Sequence, residues 1–146
     1  MQIKRTVETA AAPDAVFAYL SDFTTTNEWD PGTISTTRAS GDGGVGTVYD
    51  NVSEFNGRQS ALRYTVLEHR PPTRVVLQGE NKTLTAVDTM RMEPDGTGTR
   101  VSYTADFTFK GVLRPLQPVL GILLARSFKK LGDEAEQGMR EALAKL

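Results

Sequence analysis

The 146-residue sequence has no cysteine and a single histidine, His69. The first absence excludes disulfides, thiolate nucleophiles and cysteine-based zinc or iron–sulfur sites, and it agrees with a reducing cytoplasm. With one histidine, a metal site would have to be built of carboxylates, and no spacing suggests one. Neither a metal nor a cofactor is expected. No charge of one sign dominates: 17 basic and 18 acidic residues leave a net charge of −1, without the basic footprint of a nucleic-acid binder. Long hydrophobic runs are also missing. The longest, Val119 to Ala125, falls far short of the roughly 20 residues of a membrane span. The opening MQIKRTVETAAAP has no apolar stretch of the signal-peptide kind. The expectation is a cytoplasmic chain without a transmembrane segment, in which the glycosylation-like triplets at Asn51 and Asn81 carry no weight.

What is present points to one domain, large enough to build a core without staples. Ile3 to Thr9 alternates as a strand. Pro13 opens a helix, because its fixed φ suits the first turn, Asp14 complements the positive end of the helix, and Val16, Phe17 and Leu20 form one apolar stripe. From Thr33 onward the pattern becomes β-branched and alternating. It predicts strands at Ile34–Ala39, Thr47–Phe55, Gln59–Glu68, Arg74–Gln78, Thr83–Met92 and Arg100–Lys110. Separators rich in Gly, Pro, Asn or Asp are short, which predicts an antiparallel meander. From Leu113 to Leu146, apolar residues at steps of three or four predict one long helix. Two prolines, Pro115 and Pro118, fall at its start, where they are tolerated or leave a bend.

One strand, two short helical pieces, six strands and a closing helix is a recognisable order. APDAVFAYLSDFTTTNEWDPG, PDGTGTRVSYTADFTFKG and LRPLQPVLGILLARSFKKLGDEAEQG resemble the polyketide cyclase/dehydrase and lipid-transport family of the START-like, helix-grip superfamily. The resemblance implies an α+β fold in which a curved antiparallel sheet wraps a long C-terminal helix. Between the two it implies a deep cavity, used by different members for lipids, sterols, polyketides, plant hormones or aromatic substrates. In such a frame Trp29, the only tryptophan, would sit near one mouth of the cavity, beside the Asp30-Pro31-Gly32 turn. It would otherwise plug the end of the core.

Parity identifies the inner face of the sheet. Val101, Tyr103, Ala105, Phe107 and Phe109 share one side of the last strand, and Leu84, Ala86, Asp88, Met90 and Met92 the matching side of the strand before it. Leu62, Tyr64 and Val66, then Thr47, Tyr49 and Phe55, extend that face. With Leu120, Leu124, Phe128, Leu131 and Ala135 of the helix opposite, this is an apolar wall with a few phenols and one carboxylate. Such a lining suits a small-molecule pocket. The expected ligand contacts are Trp29, Tyr49, Tyr64, Asp88, Met90, Tyr103, Phe107, Leu124 and Phe128, with Asp88 the candidate acid or base. The same residues would equally fill a solid core, because packing density is not written in residue types.

Other apparent motifs are set aside. GDGGVG, Gly41 to Gly46, matches a dinucleotide fingerprint in letters, but a strand follows it where that motif needs a helix. His69 precedes a double-proline turn, and no G-x-S-x-G nucleophile signature accompanies it. Three functions stay open: a binder or carrier of a hydrophobic small molecule, a cyclase or dehydratase-like enzyme that moves a proton through Asp88 or a tyrosine, and an interaction or regulatory module engaged through the Trp29 mouth and the start of the long helix. A homodimer is left open.

Overall fold

A computed structural model describes all 146 residues. Seven strands form one antiparallel sheet: β1 (Gln2–Thr9), β2 (Thr33–Ser40), β3 (Val48–Phe55), β4 (Arg58–Arg70), β5 (Arg74–Glu80), β6 (Leu84–Asp95) and β7 (Gly98–Phe109). Their order, β1-β7-β6-β5-β4-β3-β2, is a meander with the first strand returned beside the last. All seven fall where alternation and the turn residues put them. Bulges interrupt the β2–β3 and β4–β5 ladders, and such bulges strengthen local twist and bend a sheet. The β6–β7 ladder is unbroken, pairing Met92 with Val101, Met90 with Tyr103, Asp88 with Ala105 and Ala86 with Phe107.

Between β1 and β2 lie α1 (Pro13–Ser21), a 3-10 turn at Phe23–Thr25, and the single-turn α2 (Thr26–Trp29). Asp22 caps the turn by accepting from the Thr24 amide at 3.1 Å. Val16, Phe17 and Leu20 are buried as the stripe requires. The C-terminal segment departs from expectation. In place of one continuous helix there is a 3-10 turn at Gly111–Leu116, then α3 (Gln117–Leu123), then α4 (Ala125–Leu143). The break is at Leu124, whose φ and ψ are −98° and 2°. Pro115 and Pro118 deny the first turns their amide donors, and the leucine spacing runs on across the break, so periodicity alone does not reveal it. No helix of the protein is long and apolar enough to cross a membrane.

The core lies between the sheet, α1 and the far half of α4. Val7, Val16, Leu20, Met90, Met92, Val101, Met139 and Leu143 are all sealed from solvent there. Small residues let α4 come close. A side chain at Gly132 would run into Ile3 and Arg5, and one at Gly138 into the Trp29 carbonyl.

Candidate ligand cavity

Where α4 stands off the sheet, a cavity of about 540 Å³ remains. Its volume falls in the range of small-molecule sites. Helix side chains Leu120, Leu124, Phe128, Leu131 and Ala135 form one wall, and sheet residues Leu84, Asp88, Tyr103, Phe107 and Tyr64 the other. Phe128 packs between Phe107 and Phe55, with ring centroids 5.1 and 4.9 Å away. Exposed Asn56 and Arg58 mark the rim, whereas buried Trp29, Tyr64, Asp88 and Tyr103 mark the inner end.

Asp88 is buried at that inner end, flanked on the sheet by Leu77 and Ala105. Neither neighbour brings a charge. The Tyr103 hydroxyl donates to Oδ2 at 3.2 Å, and Oδ1 has no hydrogen-bond partner. Both arginines that might neutralise it are engaged elsewhere, Arg63 with Asp50 and Arg74 with Glu68, each at 3.1 Å. Burial therefore decides the outcome: desolvation of the charged form pushes the Asp88 carboxyl up to about 7, against the smaller opposing pull of the Tyr103 hydrogen bond. Asp30 adds to the rise. Its own carboxyl also lies above the ordinary range because of desolvation, although it accepts from the Gly32 amide at 3.0 Å and the Thr33 hydroxyl at 2.9 Å. Tyr64 and Tyr103 are pushed well up by burial and by these carboxylates, so both remain neutral phenols. Among the wall residues the only basic side chain is Arg58.

Local structure explains why these groups meet. Tyr64 faces Gly79 across β4 and β5, and a Cβ there would lie 2.6 Å from its ring. The glycine gives the phenol space to lie over the sheet. Gly138 does the same for α2, drawing the Trp29 backbone onto α4. As a result the tryptophan ring turns inward and is 1 % exposed, so the expected place at the mouth is corrected to the inner end. There it meets Tyr103 edge-on at 5.6 Å and donates from Nε1 to the Thr25 hydroxyl at 3.3 Å.

Seven of the nine expected contacts lie on the wall: Trp29, Tyr64, Asp88, Tyr103, Phe107, Leu124 and Phe128. Tyr49 and Met90 do not. Phe23 stands between Tyr49 and the cavity, 5.9 Å from Tyr49 and 4.7 Å from Tyr64. Met90 is sealed in the solid core under α1. Parity gave both the correct face of the sheet, but that face serves core and cavity alike. Sequence reasoning missed Asp30, Asn51 and Ser53 on the wall. Asp30 read as a turn residue. Asn51 continues the Tyr49 parity and bonds the Thr36 hydroxyl at 2.9 Å, a network that also holds Thr26.

The comparisons with known proteins agree with this architecture. The family model described as polyketide cyclase / dehydrase and lipid transport matches residues 1–144. The chain belongs to that family. Among solved structures similar to this member, TTHA0849 from Thermus thermophilus has a TM-score of 0.76 at 19 % identity, covering 98 % of this chain and 97 % of that one. A START superfamily protein from Mycobacterium smegmatis gives 0.72 at 15 %, covering 97 % and 98 %. The Zhui aromatase/cyclase from Streptomyces sp. R1128 gives 0.66 at 17 %, covering 99 % and 98 %. At these identities the likeness speaks for the helix-grip fold of the family. No curated protein sequence matches this family member significantly.

Proposed function

We propose that the protein binds or carries a hydrophobic small molecule, of lipid, polyketide or aromatic type, in the cavity between the sheet and the C-terminal helices. The observation that carries this reading is an apolar chamber of about 540 Å³ ending on a buried carboxylate that has no cation beside it. A filled core would leave no such space, and a protein does not bury a carboxyl among Leu77 and Ala105 for stability. The ligand body would lie on Leu84, Phe107, Leu124 and Phe128, with a hydroxyl or similar donor directed to Asp88. Native mass spectrometry of protein purified from its own organism tests this. A copurified small molecule, released on denaturation, is the expected result; empty protein that also fails to bind apolar hydroxyl compounds would overturn it.

A second reading follows from the Asp88 carboxyl lying at about 7. Both protonation states are then present near neutrality, which suits general acid–base work, and a cyclase or dehydratase-like step on a bound polyketide would use it. Asp88→Asn abolishes turnover under this reading and changes only ligand affinity under the first. For a regulatory module, Trp29 offers no exposed ring, whereas the start of the helical segment is exposed.

A further inference from the structure

The segment joining β7 to α4 lies in the longest stretch of the protein without a buried residue, 106–131. No residue of the Gly111–Leu116 turn or of α3 is buried. Five large apolar side chains, Val112, Leu116, Val119, Ile122 and Leu123, are exposed there, Val112 to 86 % and Ile122 to 79 %. Single exposed leucines are ordinary, but a run of this kind marks an interaction surface. Charge in the same stretch is of one sign. Residues 107–132 contain Lys110, Arg114, Arg126, Lys129 and Lys130 and no carboxylate, in a chain whose net charge is −1. Lys110, Lys129 and Lys130 pair with Glu80, Asp133 and Glu134 outside the stretch. Arg114 and Arg126 are exposed and pair with no carboxylate. On its other side, the segment carries Leu120 and Leu124 into the cavity wall.

We propose that this segment, residues 111–126, is a docking surface for an anionic lipid bilayer. Its apolar side chains enter the boundary between headgroups and acyl chains, and Arg114 and Arg126 meet the phosphates. Charge separates this occupant from a second copy of the chain: two such stretches face to face would oppose cation to cation, whereas an anionic surface complements them. Docked in this way, the wall formed by Leu120 and Leu124 lies next to the bilayer, which gives an apolar molecule a path that avoids water. Docking itself does not require the cavity to be occupied.

Vesicle flotation tests the proposal with lipid as the only probe. Wild-type protein is expected to float with phosphatidylcholine vesicles containing phosphatidylglycerol, and to bind pure phosphatidylcholine at least about fivefold more weakly, the gain expected per basic side chain near an anionic surface. The exposed pair Arg114→Gln and Arg126→Gln should remove that preference. Replacing Ile122→Asp and Leu123→Asp should lower binding to the mixed vesicles by at least about tenfold. Circular dichroism and Trp29 emission should be unchanged in both, since none of these side chains is in the core. Absence of binding, equal binding to the two compositions, or full binding by the aspartate variant would each overturn the proposal. So would light scattering that shows a dimer broken by the same aspartates, which would make the face a contact between copies.

Discussion

The C-terminal helices present two halves that meet the same sheet in different ways. Beyond Ala135, the far half of α4 carries Gly138, Met139 and Leu143, and it packs on α2 and β1. Before Ala135, Leu120, Leu124, Phe128 and Leu131 are half-buried and border the cavity. Both halves carry large apolar side chains, and glycines occur in both, Gly121 and Gly132 before Ala135 and Gly138 after it. At Gly138 the missing side chain lets α4 reach the Trp29 backbone. What distinguishes the halves is what each meets: Gly138 brings the far half against the Trp29 backbone, whereas the near half contains the break at Leu124 and borders the cavity.

The widest separation between the halves should appear with pH, because the cavity half alone contains Asp88. Its carboxyl titrates at about 7 when folded and at about 3.9 in an unfolded chain. Between those values the folded state keeps a proton that the unfolded state has lost, so stability is fully present below about pH 4 and falls as pH rises towards 7. Three pH units correspond to a loss of roughly 4 kcal/mol at most. Urea midpoints should therefore decline from pH 4 to 7 in the wild type and much less in Asp88→Asn, leaving the variant the more stable protein at pH 8. Parallel profiles for the two would show that Asp88 is not desolvated.

Truncation sharpens the comparison. Met139→Ala removes a side chain with 1 % exposure from the solid half and should cost about 3 kcal/mol. Gly138→Ala should cost about 2 kcal/mol despite the better helix propensity of alanine, since its methyl meets the Trp29 carbonyl, a backbone group that cannot swing away. Phe128→Ala should cost about 1 kcal/mol, well below the 3–5 kcal/mol of a filled aromatic site, because its ring already borders empty space. Denaturant unfolding of the three variants gives the ranking. A Phe128→Ala loss equal to that of Met139→Ala would mean that the near half is packed like the far half.

The sequence made the sheet readable for a specific reason. Period-two alternation survives bulges, and the tight turn at Gly96-Thr97 closes an unbroken β6–β7 ladder, so alternation alone puts Asp88 and Ala105 on one face. The helical segment was less readable, because the leucine repeat persists through Leu124 while the backbone does not. Tyr49 and Met90 show the other limit. Parity assigns a side chain to a face, but whether that face is covered by Phe23, by α1 or by nothing depends on elements distant in sequence. Trp29 followed the same logic: its inward turn depends on a glycine more than 100 positions later, at Gly138.

The central claim is that the near half of the helical segment encloses a receptive chamber, and calorimetric titration with 2-naphthol tests it most directly. Its fused rings suit the Phe107 and Phe128 walls, and its hydroxyl suits Asp88. Saturable one-to-one binding is expected, with a change in Trp29 emission when a non-fluorescent analogue such as cyclohexanol is used, and loss of both in Leu124→Phe, which extends a larger ring into the chamber from a half-buried position. Absence of saturable binding, or binding that Leu124→Phe leaves untouched, would contradict that claim.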